Sequence, residues 1–194
     1  MTHRRSPLRR RAPLLILFAL LFVAGCGGAI PDYFPMAEGN EWRYRLTRFD
    51  DEGEPSDAGA LSMRVIKTPD PITAVIQYNN DSRVEIYSKK KGYLSATGSA
   101  GLGQDRINYL LRLPPVKGEK WTLYAIDDET LDDTILLIYR VEAIMDVQHN
   151  GTDYPDVVIV ECENGDGTLL MRYYWAPGVG LLKRESFVRD VIDW

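Results

Sequence analysis

Cysteine and histidine are nearly missing from this chain. Its 194 residues hold two of each, Cys26 and Cys162, His3 and His149. Beyond Cys26 there is one thiol and one imidazole, with no partner at ligand spacing, so no zinc site can be read. A lone Cys162 cannot close an internal disulfide even where oxidation would permit one. No G-x-S-x-G elbow occurs, and His149 sits beside Asn150-Gly151 with no serine or cysteine near it, so a nucleophile with its base and orienter is not legible. Long apolar runs are also lacking. The longest, from Leu14 to Ala24, is about half of the roughly 20 residues a helix needs to cross a bilayer. Finally, the first 25 residues lack acids altogether but carry Arg4, Arg5, Arg9, Arg10 and Arg11.

That basic opening, an uncharged apolar block and then small residues make the order of a secretory leader. Val23-Ala24-Gly25-Cys26 resembles the lipobox of bacterial lipoproteins. The resemblance implies that Cys26 takes a diacylglycerol thioether, that Gly25–Cys26 is cut, and that the new amine is acylated. Each buried methylene then adds about 0.8 kcal/mol, and two chains already anchor stably. The expected partner of this end is therefore the membrane, through acyl chains on Cys26. Gly27-Gly28 stand where many Gram-negative bacteria place aspartate to retain a lipoprotein on the inner membrane, which points to the outer membrane, facing the periplasm. Arg4-Arg5 is followed by residues that do not suit a twin-arginine signal, so the general secretory route is expected.

Removal of residues 1–25 leaves 194 − 25 = 169 residues, one ordinary domain. The leader holds five of the 23 Lys+Arg and none of the 28 Asp+Glu, so the mature balance is 18 − 28 = −10. So acidic a chain is a poor partner for nucleic acid or anionic headgroups. All four Trp and all eleven Tyr follow Cys26, a bias toward strands.

The pattern along the chain is a period of two. Trp42, Tyr44 and Leu46 alternate with Arg43, Arg45 and Thr47, and Leu61, Met63 and Val65 repeat the alternation. Further strands are expected over 72–78, from Val84 to Ser88, over 93–97 and from Ile107 to Leu113. After Pro114 they are expected over 121–126, 134–147 (long enough to bend or bulge), 157–162, 169–175 and 181–188. Acidic or Gly-rich turns separate them, and the Lys89-Lys90-Lys91 tip reads as solvated and as blunting a sheet edge. No helical periodicity is found outside the leader. The expectation is an all-β fold, a curved antiparallel sheet forming a half-barrel or open barrel, with a β-sandwich as the alternative. Residues 1–25 are the signal peptide, 26–34 the lipidated cysteine and tether, and 35–194 a single β domain, with Tyr33 and Phe34 as first core contacts.

Two short patterns stand out. Pro35-x-x-x-Gly39-x-x-Trp42 recurs as Pro114-x-x-x-Gly118-x-x-Trp121, a turn that delivers a tryptophan into a strand start. The alternation puts Trp42 on the same face as Leu46, so both tryptophans are expected in the core rather than in a ligand groove. Near the end, Pro177, Gly178 and Gly180 shape a tight corner. Glu161-x-Glu163-x-Gly165-Asp166-Gly167 suggests a calcium loop but fails at the positions that need glycine and glutamate.

FPMAEGNEWRY and YYWAPGVGLLKRE, with the middle turn Asn150-Gly151-Thr152-Asp153-Tyr154-Pro155-Asp156-Val157, resemble the hallmarks of a family of uncharacterised bacterial envelope lipoproteins. These are called TapB-like or grouped with domains of unknown function. The resemblance implies a curved antiparallel sheet or half-barrel and brings no activity, cofactor or catalytic residue. The expected function is a non-enzymatic, membrane-tethered binding or assembly module with an envelope protein or lipid as partner. Its rivals are a carrier or sensor of lipid or lipoprotein and a carboxylate-based hydrolase of envelope polysaccharide. An exposed apolar patch or free strand edge favours the first. A closed apolar cavity favours the second, and two carboxylates facing across a cleft roughly 5–10 Å wide the third.

Overall fold

The structure, a computed structural model, describes residues 30–49, 54–79, 84–98, 106–126 and 134–187. The expected leader, Cys26, Gly27 and Gly28 lie outside the described residues, as do the acidic segments 50–53 and 127–133. Among the described residues there are strands and no helix. In order they are β1 (Glu41–Phe49), β2 (Pro55–Asp70), β3 (Thr73–Tyr78), β4 (Val84–Lys90), β5 (Tyr93–Gly98) and β6 (Arg106–Arg112). β7 (Lys120–Ile126), β8 (Thr134–His149), β9 (Thr152–Asn164), β10 (Leu169–Ala176) and β11 (Gly180–Ser186) follow.

Within each sheet every strand pairs antiparallel with its chain neighbour, as short hairpin connections require; β6 and β7 are the one pair of chain neighbours that belong to different sheets. β1 to β6 form a six-stranded sheet curled into a half-barrel, and β7 to β11 form a second sheet of five. Where left-handed residues are needed the chain supplies them. Lys91-Gly92 (φ +53° and +77°) closes β4 on β5, and Asn150-Gly151 (φ +50° and +77°) closes β8 on β9. The inward faces carry the apolar half of each alternation. Met63, Val65, Ile76, Leu94 and Leu111 come from the first sheet, and Tyr139, Val141, Val158, Val160 and Trp175 from the second, all buried in one cluster. The alternation misleads at β6: Ile107 is exposed while Leu111 is fully buried, because the β5–β6 register shifts between Leu94 and Ser95.

The two sheets repeat one plan. Gly39 N–H donates to Val65 O at 2.9 Å, Val65 N–H to Asn40 O at 2.9 Å and Asn40 N–H to Ala37 O at 3.1 Å. In the second half Gly118 N–H donates to Val141 O at 2.8 Å, Val141 N–H to Glu119 O at 2.9 Å and Glu119 N–H to Val116 O at 3.0 Å. The two lead-in turns are thus superposable bond for bond. The register shift after Val65 recurs after Val141, and the pairs Val65↔Ile76 and Ala74↔Tyr87 recur as Val141↔Val160 and Val158↔Trp175. The repetition therefore extends from the Pro-Gly-Trp turn through at least four strands.

Candidate binding surface

Five of the positions singled out in sequence meet at one seam. The compact unit begins at Pro31, so the chain is already in the fold ahead of Pro35. Phe34 is buried, stacked between Trp42 and Tyr87 with both ring centroids at 4.8 Å, and meets Trp175 edge-on at 6.2 Å. Asp32 O accepts from Gly178 N–H at 2.6 Å, and Pro35 O from Asn40 Nδ2 at 3.1 Å. Trp42 Nε1 donates to Val179 O at 2.6 Å, and Tyr44 OH to Leu181 O at 2.8 Å. Side chains of β1 thereby fasten to the corner formed by Pro177, Gly178 and Gly180, where no strand ladder joins the sheets among the described residues. The approach is close: a Cβ on Gly180 would lie 3.0 Å from Trp42 Nε1.

The other seam uses the same device. Trp121, 7% exposed, stacks on Tyr139 at 5.5 Å, and its Nε1 donates to Tyr109 O of β6 at 2.9 Å. Trp42 is only half-buried. Pro114 lies exposed in the β6–β7 connection with Gly118. Each tryptophan thus closes its own sheet edge against the last strand of the other sheet.

The outer face of the second sheet carries a row of charge. Glu161, 7% exposed, accepts from Arg140 Nη2 at 2.9 Å and from Arg172 Nη2 at 2.6 Å and Nε at 3.1 Å. Burial pushes its carboxyl up, but the hydrogen bonds from Arg172 and Arg140 outweigh this and hold it below the usual range. A carboxylate so neutralised holds a salt ladder together and is not poised as a general acid. Among the described residues no group of His, Cys, Asp and Glu could hold a metal ion.

Two features remain open. Asp32, Met36, Ala37, Thr68, Asp70 and Lys89 line a groove of ≈ 600 Å³. Lys89 there is not a solvated tip. Its ammonium pairs with Asp32 Oδ1 at 2.5 Å and its N–H donates to Ile72 O at 2.8 Å; Lys90 and Lys91 are exposed. The second feature is the far end of the β8–β9 hairpin. β7 pairs with β8 up to Arg140, and β10 with β9 up to Val158. From Met145↔Val157 to His149↔Thr152 the two strands pair only with each other among the described residues. At the base of this ribbon Ile144 is 37% and Met145 52% exposed. Sequence patterning placed a turn at Asn150-Gly151 but not the ribbon, because length of projection depends on where the neighbours stop. No family model, no curated protein and no solved structure matches this chain.

Proposed function

We propose that this chain is a bacterial envelope lipoprotein, anchored through acyl chains on Cys26, whose β domain is a non-enzymatic binding or assembly module. The leader and the Val23-Ala24-Gly25-Cys26 sequence support the anchoring, and Gly27-Gly28 support the outer membrane, facing the periplasm. The observation that carries the binding reading is the exposed β8–β9 ribbon beside a core of large buried side chains among the described residues. Trp175, Tyr139, Phe34, Ile76, Leu94 and Leu111 occupy the core at the level of fully buried side chains, whereas a lipid carrier needs an apolar cavity to load. Meanwhile the β8–β9 ribbon leaves strand edges and apolar side chains in solvent, which is how sheets recruit partners. Glu161 is closed off by two arginines, which weakens a carboxylate hydrolase.

The test is capture of the lipidated protein, crosslinked in its own envelope. A protein recovered in fixed proportion is the expected result. Recovery of a bound lipid or lipoprotein cargo alone would instead make the chain a carrier, and recovery of nothing would remove the binding reading.

A further inference from the structure

The internal repeat supplies a control for what the fold itself needs. Val65 and Val141 are equivalent and 76 positions apart, while Ile76 and Val160 are equivalent and 84 apart. The β8–β9 hairpin is therefore eight residues longer than its counterpart β2–β3. A hydrogen bond marks where the extra chain begins and ends. Asp70 Oδ1 accepts from Ile72 N–H at 2.9 Å, and Asp146 Oδ1 accepts from Asp156 N–H at 3.2 Å. Asp146 and Asp156 are the residues those two offsets predict. In the first half a single Pro71 lies between the bonded pair; in the second half 147–155 do. The same bulge and capping aspartate thus exist without the ribbon, so the first half folds its turn without what the second half adds.

The added ribbon has its own chemistry. From Ala143 to Asp156 it holds Asp146, Asp153 and Asp156, with no lysine or arginine; Glu142 at its foot is paired with Arg140 Nη2 at 3.1 Å. Pro155 removes a donor from the β9 side, whereas the β8 stretch from Ala143 to His149 has no proline and borders the exposed Ile144 and Met145. We infer that the β8 edge of this ribbon is a docking site for an extended, basic segment of an envelope protein, which adds as a strand beside 143–149. Main-chain bonds give such a complex its affinity, alternate side chains its register, and the carboxylates of Asp146, Asp153 and Asp156 select lysine or arginine over acidic segments. This deepens the binding-module reading and rests on it.

The test uses the full lipidated chain in detergent and three partners of equal length: decapeptides alternating Lys with Val, Glu with Val, and Ser with Val. Two variants accompany it. In one, residues 146–156 are replaced by Asp-Pro-Ile, the sequence of Asp70–Ile72; in the other, Asp146, Asp153 and Asp156 are each changed to Asn, a residue that tolerates the positive φ of Asp156 (+52°). The Lys-Val peptide should bind the wild-type chain, more weakly as salt rises, and at least tenfold more tightly than the Glu-Val peptide. The Asn variant should lose about tenfold and most of the salt dependence, and the shortened variant should not bind while keeping its cooperative melt. Absence of wild-type binding, or equal binding to the shortened variant, overturns the inference. Envelope capture separates the two levels. If the shortened variant still captures the wild-type partner, the ribbon falls and the module reading stands; if neither chain captures anything, the module reading falls.

Discussion

Gly39 and Gly118 hold φ of +89° and +82° with nothing within 4 Å of where a Cβ would stand. Any cost of adding a methyl there comes from the backbone, so Gly39→Ala and Gly118→Ala should each cost about 1–2 kcal/mol. Gly180→Ala should cost more, since its Cβ meets the Trp42 indole as well as a positive φ of +106°. Denaturant melts of the three variants check the order. Cys162 is fully buried, and burial pushes its thiol up to about 11. At neutral pH little thiolate is present, so a maleimide should label the native protein far more slowly than the unfolded chain. Glu161 gives a pH dependence with a definite sign. Its folded-state value is depressed, so its contribution is complete above the ordinary carboxylate range near ~4.3 and is lost as pH falls through the folded value. The melting temperature of the wild type should therefore drop below that range more steeply than that of Glu161→Gln, which should itself be weaker by about 1–3 kcal/mol at pH 7. Parallel slopes for the two chains would remove Glu161 from the account.

At the scale of elements, the two seam tryptophans do different amounts of work. Trp121 is buried and stacked on Tyr139, so Trp121→Ala should cost about 3–5 kcal/mol, a large share of the roughly 5–15 kcal/mol that holds a domain together. Trp42→Phe keeps a ring against Phe34 but removes the bond to Val179 O, which should cost about 1 kcal/mol. A melt of Trp121→Ala that overlays the wild type would contradict the structural role. The strands and most turns were legible in sequence because alternation and Gly, Pro and Asn punctuation are local signals, and the recurrence of Pro-x-x-x-Gly-x-x-Trp exposed the repeat. The seams were not. That Trp42 bonds Val179 and Trp121 bonds Tyr109 depends on how two sheets meet, and Lys89 looked like a solvated tip because its partner Asp32 is distant in sequence. Ile107 and Leu111 share a face in a regular alternation, but a bulge at Leu110 within β6 itself puts Ile107 outside.

For the whole molecule, a packed β unit begins at Pro31, only a few residues after Cys26. At no more than about 3.3–3.6 Å per residue, the proposed anchoring through Cys26 would keep the domain close to the surface that holds the acyl chains. The proposed leader rests on the sequence alone, since charge, apolar length and small residues are compositional signals that need no fold. The most direct measurement is radioactive palmitate labelling and fractionation of the wild-type chain beside Cys26→Ala, expressed in its own host. The account predicts label and membrane association for the wild type, and an unlabelled chain in the soluble fraction for the variant. A Cys26→Ala chain that stays with the membrane would contradict it.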